Sequence, residues 1–374
     1  MHLTGLALHD FRSYPEVDLE LEPGVTSFIG ANGQGKTNLV EAIDYVAGLE
    51  SHRVSADTPL VRAGTELAVV RTDVRRGDRT ARLEVEISPG RANRARVNGS
   101  NLPRTRELIG ILRTVMFSPE DLALVKGDPS DRRRFLDVLL TLRTPRLAGV
   151  RADYDRVIRQ RNTLLKSARG RGDRVDLSTL DIWDEKLAAF GGELVAHRLA
   201  TLAALNPHAV ESYRQVAAAA SPERQVVTGT YRASTDLDGA TEAAELRDAL
   251  LAGIAARRKD ELDRGVSLVG PHRDEIQLDI GDLPARGYAS HGESWSLALA
   301  LRLASFRLLK EDGDDPVLIL DDVFAELDGQ RRDHLADLVR DVEQVFITAA
   351  VAEDVPASLS GHRFTVAGGG VSRA

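Results

Sequence analysis

The first part of the chain alternates hydrophobic and polar residues in the way that β-strands do. Residues 3–8 place Leu among small residues, and residues 17–21 place Val or Leu at every second position between acids. After a Pro-Gly turn, the short apolar stretch 25–29 runs into a glycine-rich segment and then into residues 38–47, whose apolar positions recur at helical spacing. The pattern predicts a strand, a loop and a helix in direct succession.

A second region with strand-like alternation covers residues 67–97 and predicts antiparallel strands. Its apolar positions include Val69, Val74, Leu83, Val85 and Ile87. The dipeptide Asn98-Gly99 follows, and it favours a tight hairpin because both central positions of such a turn need positive φ. We therefore expect a small β subdomain beside the glycine-rich loop.

The middle of the chain, from about residue 119 to 256, changes to Ala, Leu and Arg at helical periodicity. The segments that fit helices are 130–141, 146–168, 180–203 and 207–220. The joins at 170–172 and 234–239 carry the glycine and small polar residues that are typical of loops. A helical arm is the expected structure of this region.

Strand patterns return after Gly265, together with two further helices. The predicted strands are 266–269, 276–280, 317–320 and 344–347, and the predicted helices are 294–310 and 329–339. Because the strand-rich ends of the chain must pack together, we predict a discontinuous α/β head, residues 1–117 and 257–374. Residues 118–256 are then an inserted helical arm.

The glycine-rich segment fits the phosphate-binding pattern G-x-x-x-x-G-K-[ST], and it lies between a strand and a helix as that pattern requires. Its residues are Gly30, Ala31, Asn32, Gly33, Gln34, Gly35, Lys36 and Thr37. Glycines let backbone N–H groups converge on phosphate oxygens, and the helix adds its positive N-terminal dipole. We expect Lys36 to meet the β and γ phosphates of ATP and the Thr37 hydroxyl to ligate Mg²⁺. An ordinary glycine-rich turn is the alternative.

Two further elements suit a nucleotide site, although each is common by itself. The strand 317–320 ends in Asp321 and Asp322, which suit a metal ligand and a water-orienting base, or simply a strand followed by a turn. A Ser-x-Gly turn, Ser290 to Gly292, precedes helix 294–310 and offers N–H groups and a hydroxyl to an anion, or acts only as an N-cap. Their order after the phosphate loop favours the nucleotide interpretation.

Composition excludes several classes of protein. The 57 acidic and 49 basic side chains give a net charge of −8, which argues against coating of nucleic acid through overall charge. The chain has no cysteine, so disulfides, thiol nucleophiles and cysteine-ligated metal sites are excluded. The sequence shows neither a signal-like segment nor an apolar run of membrane-spanning length. We therefore expect a cytoplasmic protein with no membrane partner.

The charge is nevertheless segregated along the chain. Residues 71–174 hold 25 basic and 13 acidic side chains, a local charge of +12, which leaves −20 for the remainder. Because few aromatic residues lie among these arginines, the stretch suits duplex phosphate contacts better than base stacking. Solvated arginines paired with neighbouring acids are the alternative. The candidate DNA-binding residues are Arg91, Arg94, Arg96, Arg132, Arg133 and Arg134.

A phosphate loop, a Ser-x-Gly helix and an Asp-Asp strand in this order resemble the ATP-binding-cassette ATPases of the SMC, Rad50 and RecF type. Lys36 and Ser290 are 254 positions apart, which indicates a large insertion but leaves no room for the long coiled coil of SMC and Rad50 proteins. The size resembles the RecF family of bacterial DNA replication and repair proteins. Segments similar to that family occur at 8–14, 117–122, 125–129, 132–137 and 270–274.

This resemblance implies a fold and a function. The fold is an α/β P-loop ABC-type ATPase head, a mixed sheet with helices plus a small antiparallel β subdomain, with an inserted helical arm. Members of the family bind DNA when loaded with ATP, dimerise, hydrolyse ATP slowly and help load RecA at single-strand gaps with RecR and RecO. The implied partners are therefore a second copy of the chain, double-stranded and gapped DNA, and RecR, with ATP and Mg²⁺ as cofactors.

The resemblance also implies roles for individual residues. Ser290 and Gly292 would complete the nucleotide site of a partner subunit, and Arg12 would lie near the nucleotide unless it is only a surface arginine. Glu293 departs from the usual Ser-Gln-Gly-Gln signature and places an acid near the nucleotide. Thr348 stands where many cassettes carry a switch histidine.

The base position departs as well, because many cassette enzymes have Glu where this chain has Asp322.

Two other functions stay open on the sequence. A P-loop phosphotransferase with the arm as a helical lid would need no Ser-x-Gly helix from a partner. A transporter cassette is disfavoured by the inserted arm and by the lack of a transmembrane-coupling pattern.

Overall fold

A computed structural model describes residues 1–169, 178–217, 222–313 and 315–374 of the chain. They divide into two compact units. The first unit comprises Met1–Leu122, His208–Gln225 and Ser290–Ala374, and the second comprises Ala123–Pro207 and Val226–Ala289. The predicted loop at 170–172 lies outside the described residues.

The described residues contain fifteen strands and nine helices. The strands are β1 (His2–Phe11), β2 (Tyr14–Glu20), β3 (Gly24–Ile29), β4 (Ala68–Arg76), β5 (Arg79–Ile87), β6 (Arg94–Val97), β7 (Ser100–Asn101), β8 (Thr114–Phe117), β9 (Val227–Arg232), β10 (Glu275–Ile280), β11 (Leu283–Pro284), β12 (Val317–Asp321), β13 (Gln344–Ala349), β14 (His362–Ala367) and β15 (Gly370–Arg373). The helices are α1 (Lys36–Gly48), α2 (Leu122–Lys126), α3 (Pro129–Arg143), α4 (Leu147–Ala168), α5 (Ser178–Val216), α6 (Ala243–Arg264), α7 (Ala285–Tyr288), α8 (His291–Glu311) and α9 (Gly329–Val339).

The first unit contains a six-stranded sheet of order β15-β14-β3-β13-β12-β8. All neighbouring pairs are parallel except β14 and β15. In this register Asp321 is paired with Thr348, and Thr348 is paired with Phe28. Since the carboxyl ends of parallel strands meet at one edge of a sheet, the ends of β3, β12 and β13 lie side by side.

The same unit contains the predicted antiparallel β subdomain, of order β2-β1-β4-β5-β6-β7. The predicted hairpin is confirmed, because Asn98 and Gly99 both have positive φ and connect β6 to β7. One hydrophobic core joins residues of both sheets with helix α1, and it includes Leu6, Phe28 and Ile43. Helix α1 and the loop before it are therefore held on two sides.

The second unit contains the helical segments α3, α4 and α6, residues 178–207 of α5 and a three-stranded sheet of order β11-β10-β9. One of its hydrophobic clusters includes Tyr154, Leu187, Leu250 and Ile254. At the same time β9 pairs with β10 along six residues, which joins residues 227–232 to residues 275–280. This unit consequently extends to Ala289, whereas the sequence pattern placed the end of the arm at residue 256.

Three predicted elements, one strand and two helices, differ from those observed. Residues 266–269 form no strand, because side chains rather than a neighbouring strand bind their backbone: Ser267 N–H donates to Asn162 and Leu268 N–H to Glu261. The two helices predicted at 180–203 and 207–220 are one helix, α5, which contains Pro207 and ends at Val216. Residues 218–220 of the second prediction lie outside the described residues.

Within the part of the chain that the structure describes, no helix combines the length and the apolar character needed to span a membrane.

Candidate nucleotide-binding site

The glycine-rich loop connects the end of β3 to the start of α1, as the pattern predicts. Gly35 has a φ of 107°, and a Cβ at this residue would lie 2.7 Å from the hydroxyl of Tyr14. A Cβ at Gly30 would lie 2.1 Å from the carbonyl oxygen of Val366. Both positions therefore require glycine, one for backbone conformation and space and the other for close approach of β14.

Lys36, the first residue of α1, is 3% exposed. Its ammonium donates to the carbonyl oxygen of Ala31 at 3.4 Å and to Asn32 Oδ1 at 3.3 Å. A lysine this buried needs oxygen partners for its charge, and here the loop supplies them. The ammonium is thus held against the loop whose N–H groups are predicted to bind phosphate.

Thr37 and Asp321, the two predicted magnesium ligands, are in contact. Thr37 Oγ1 donates to Asp321 Oδ1 at 3.1 Å, and Thr348 Oγ1 donates to the same oxygen at 2.6 Å. Burial raises the pKa of Asp321 and the neighbouring Asp322 charge raises it further, while the bond from Thr348 opposes the shift. A carboxylate and a hydroxyl are oxygen donors of the kind that Mg²⁺ prefers, so these residues fit the ion.

Thr348 is a residue whose role the sequence analysis did not foresee. Besides donating to Asp321, its oxygen accepts the backbone N–H of Asp322 at 2.9 Å. Asp322 has a φ of 51°, a left-handed conformation that short polar side chains tolerate better than others. The threonine at the predicted switch position therefore fixes both aspartates at the end of β12.

Arg12 lies beside α1 and is held by Glu41 of that helix. Its Nε donates to Glu41 Oε2 at 2.8 Å, Nη2 donates to Oε1, and Nη1 donates to the carbonyl oxygen of Pro59 at 2.9 Å. Glu41 is fully buried and also accepts from Ser51 and Arg53. Burial opposes its ionisation, but the bonds from Arg12 and Ser51 outweigh burial and lower its pKa.

Glu41 is the second residue that sequence reasoning missed. The available signal was an acid within the apolar stripe of helix 38–47, a position where a charge needs a partner. The side chain of Arg12 is 13% exposed in this arrangement. Arg12 is therefore fixed to the helix that follows the phosphate loop.

The Ser-x-Gly turn begins α8, and Ser290 is its N-cap. Ser290 Oγ accepts the N–H of Glu293 at 3.2 Å, and Glu293 Oε2 accepts the N–H of Ser290 at 2.8 Å. This reciprocal arrangement is a capping box. The guanidinium of Arg331 packs against Gly292, because a Cβ there would lie 3.3 Å from Arg331 Nη1.

The loop before α2 also contacts α8. Asp121 forms a capping box with Ser118, and both of its oxygens accept from Arg302 of α8. The loop itself contains the short 3-10 helix Pro119–Asp121. The structure adds an ion pair that links the loop to the helix of the Ser-x-Gly turn.

The candidate DNA-binding arginines form two groups. Arg91, Arg94 and Arg96 lie in or beside β6 of the first unit, and Arg132, Arg133 and Arg134 lie on α3 of the second. Arg91 is exposed, and Arg94 is 72% exposed with Glu86 at 3.7 Å.

Arg96 is half-buried and donates to Glu84 and Asn101. The alternative of arginines paired with neighbouring acids therefore applies to part of this group.

Arg132 does not have the exposure that a phosphate contact needs. It is 5% exposed, and its Nε and Nη2 each lie 2.8 Å from a carboxylate oxygen of Glu275. Arg133 donates to the carbonyl oxygen of Asp274 at 2.6 Å, and burial lowers its pKa. Arg132 therefore joins α3 to β10, and we remove it from the candidate DNA contacts.

Known proteins resemble the chain over its whole length. The family described as the RecF/RecN/SMC N-terminal domain matches residues 2–362. The chain is 57% identical to the DNA replication and repair protein RecF of a Nocardioides species and 57% identical to that of Streptomyces avermitilis, with 100% of each chain covered. It is 58% identical to RecF of Frankia alni, again with full coverage.

Solved structures agree with this assignment. A structure of the recombination mediator protein RecF with ATP, in the RecFOR pathway, matches with a TM-score of 0.90 and 30% identity, covering 100% of this chain and 97% of that one. An Smc head bound to the C-winged helix domain of ScpA matches with a TM-score of 0.55 and 18% identity, which supports the fold alone. The chain therefore belongs to the RecF family of DNA replication and repair proteins and has the ABC-type ATPase head fold of the wider RecF/RecN/SMC group.

Proposed function

We propose that the protein binds DNA in an ATP-dependent manner during replication and recombinational repair. ATP and Mg²⁺ bind at residues 30–37, and the bound nucleotide joins two copies of the chain. The dimer then holds duplex DNA next to a single-strand gap, and slow hydrolysis of ATP releases it. ATP serves as a switch in this scheme, because its presence or absence changes which assembly is stable.

The contact between Thr37 and Asp321 carries this proposal. It brings the hydroxyl at the end of the phosphate loop and the carboxylate at the end of β12 to 3.1 Å. These two groups would hold Mg²⁺, which supplies charge neutralisation at the phosphates. Lys36 neutralises the transferred phosphate, and Asp322 orients the attacking water. Similarity to a RecF whose structure was solved with ATP supports the same ligand here.

We infer dimerisation from the Ser-x-Gly turn. In the proposed assembly, Ser290 and Gly292 of one copy contact the nucleotide held by the phosphate loop of the other. The turn supports this role because Ser290 is exposed and starts a helix of 21 residues, whose N-terminal dipole attracts phosphate. Each dimer would therefore contain two composite ATP sites.

The DNA surface is proposed on the exposed arginines. Arg91 and Arg94 are the strongest candidates, and Arg96, Arg133 and Arg134 are secondary because each is partly buried. Surface ion pairs such as that of Arg94 with Glu86 contribute about 0–1 kcal/mol, so phosphate can compete for the guanidinium. Dimerisation doubles this basic surface.

The proposed pathway role is to help load RecA with RecR and RecO. Its support is the similarity to a recombination mediator protein of the RecFOR pathway. In this order of events, the ATP-loaded dimer binds DNA before RecA is loaded.

The test compares binding to a gapped duplex with and without ATP and Mg²⁺. The wild type is expected to bind at least about tenfold more tightly with ATP, and Lys36→Met should lose that gain because the loop no longer neutralises the phosphates. Lys310→Met removes an exposed lysine that pairs with Asp315 and should behave as the wild type. Full ATP-dependent DNA binding by Lys36→Met would contradict the proposal and favour a phosphotransferase.

A further inference from the structure

The turn that begins α8 carries a negative charge at the place where the proposed function needs to bind phosphate. Glu293 is the fourth residue of the Ser-His-Gly-Glu segment, three positions after the N-cap Ser290. A carboxylate about 4 Å from a phosphate oxygen would repel it strongly at the low dielectric of a subunit interface. The chain therefore needs a way to keep this acid from opposing nucleotide binding.

The structure shows how both oxygens of this carboxylate are occupied. Oε2 accepts the backbone N–H of Ser290 at 2.8 Å. Oε1 accepts from Arg224, whose Nε lies at 2.9 Å and whose Nη2 also donates to it. The pair is partly protected from water, since the side chains of Arg224 and Glu293 are 31% and 24% exposed.

A second guanidinium lies on the other side of the turn. Arg331, near the start of α9, packs against Gly292, and its Nε lies 3.6 Å from Asp328. Arg224 and Glu293 therefore cancel each other. Because Arg331 is itself paired with Asp328, the positive end of α8 then determines the potential at the turn.

Arg224 belongs to a segment that the sequence analysis treated only as part of the helical arm. It lies in the short 3-10 turn Pro222–Gln225, which belongs to the first unit together with α8. Its contact with Glu293 spans 69 positions in the chain. Because the two residues are so far apart in the sequence, their pairing could not be predicted from the motif.

We propose that Arg224 is a positioning residue for the composite ATP site. It neutralises Glu293 and holds it against the backbone of Ser290, so that the turn can accept the γ-phosphate of ATP bound to the partner. The inference rests on the proposed function, because it concerns the contact that this function assigns to Ser290 and Gly292. It identifies Arg224 and Glu293 as the pair that replaces the neutral signature glutamine.

The test measures ATP-dependent association in a double-mutant cycle. Arg224→Gln, Glu293→Gln and the double variant are compared with the wild type by light scattering over a range of protein concentrations with ATP and Mg²⁺. ATP binding to isolated protomers and thermal unfolding are measured in parallel. Arg373→Gln, which removes an exposed arginine paired with Glu22 in the same unit, is the matched control.

Arg224→Gln is expected to weaken ATP-dependent association about tenfold, since each of the two sites loses its compensating charge. ATP affinity of the protomer should stay unchanged. The double variant should recover the association constant of Glu293→Gln to within about threefold, because removing the acid makes the arginine unnecessary. If Arg224 served only to stabilise the fold, removing Glu293 would not restore the association of the Arg224→Gln protein.

Two results would overturn the inference alone. One is a double variant that associates as weakly as Arg224→Gln, and the other is an Arg224→Gln protein that associates like the wild type and Arg373→Gln. Failure of the wild type itself to associate with ATP and Mg²⁺ would instead contradict the proposed function, and the inference with it.

Discussion

The hydroxyl of Thr37 donates to the carboxylate of Asp321 at 3.1 Å, although 284 positions separate the two residues in the chain. The contact forms because β3, β13 and β12 are neighbouring parallel strands that end at the same edge. Thr348, on the strand between them, donates to the same carboxylate. Phosphate loop and Asp-Asp strand are thus parts of one site.

The first prediction concerns this hydroxyl. Thr37→Val should weaken Mg²⁺-dependent ATP binding at least about tenfold, because a ligand to the ion and a bond to Asp321 are both lost. ATP binding in the presence of EDTA should change much less. Thr37→Ser keeps the hydroxyl and is the control. The readout is titration with a fluorescent ATP analogue, and equal losses with and without Mg²⁺ would contradict the assigned role.

The second prediction separates ATP binding from hydrolysis. Asp322→Asn should still associate on addition of ATP, but its hydrolysis rate should fall about 100-fold or more, because an amide is a poor base for the water. Asn is suitable at this position because it tolerates the φ of 51°. Phosphate release and light scattering measure the two properties, and wild-type turnover by Asp322→Asn would contradict the role.

The third prediction concerns a charged network in the core of the second unit. Arg161 is fully buried, and it donates to Asp184 and Glu261, both at 2.6 Å, and to Ser267 at 2.7 Å. Arg161→Met would leave the buried Glu261 without its cation and would leave Asp184 with Arg258 alone. The free energy of unfolding should fall by about 3–5 kcal/mol.

A matched control lies on the same helix, α4. Arg156 forms an exposed pair with Asp153, so Arg156→Met should cost about 1 kcal/mol or less. Urea unfolding can be followed through Trp183, which packs in the second unit, in a Trp295→Phe background. Similar costs for the two substitutions would show that the network is not a source of stability.

The fourth prediction concerns pH. His272 Nδ1 lies 2.6 Å from the hydroxyl of Tyr154, and Nε2 faces the carbonyl oxygen of Ser267 at 3.4 Å. A neutral ring that donates from Nε2 and accepts at Nδ1 fits both contacts. Burial, together with the nearby positive charge of Arg273, lowers the pKa of His272 to about 4, although the contact with Ser267 opposes the shift.

The unfolded chain therefore binds this proton below pH 6.5, whereas the folded chain binds it only near pH 4. Stability should be fully present above pH 6.5 and fall by about 3 kcal/mol as the pH decreases to 4. His272→Gln should lack this part of the decrease, and His9→Gln, at an exposed position, should keep it. If the free energy of unfolding of the wild type and of His272→Gln changed in parallel with pH, the lowered pKa of His272 would be contradicted.

Local sequence pattern was sufficient to predict the elements around the proposed phosphate-binding loop. Residues 25–47 alone predict β3, the loop and α1, because strand alternation, glycines and helical spacing all lie within a few positions of one another. The motif also indicated Thr37 and Lys36 without knowledge of the fold. The Asp-Asp strand could be predicted from its apolar run and its position in the chain alone.

Contacts between segments that are far apart in the chain could not be predicted from local sequence pattern. Glu41, Thr348 and Arg224 each gain their role from a partner that the fold brings close. Residues 266–269 have the composition of a strand, but side chains of Asn162 and Glu261 bind their backbone instead. Pairing of β9 with β10 likewise sets the extent of the second unit.

The measurement that tests the central claim most directly is the molecular mass in solution with ATP and Mg²⁺, in the presence and absence of a gapped duplex. Gel filtration coupled to light scattering is expected to give a monomer of 40.7 kDa without nucleotide and twice that mass with ATP and Mg²⁺. Addition of the gapped duplex should increase the mass further, because the dimer binds it. Lys36→Met should show neither increase in mass. An unchanged mass with ATP, together with no shift on the DNA, would contradict the account.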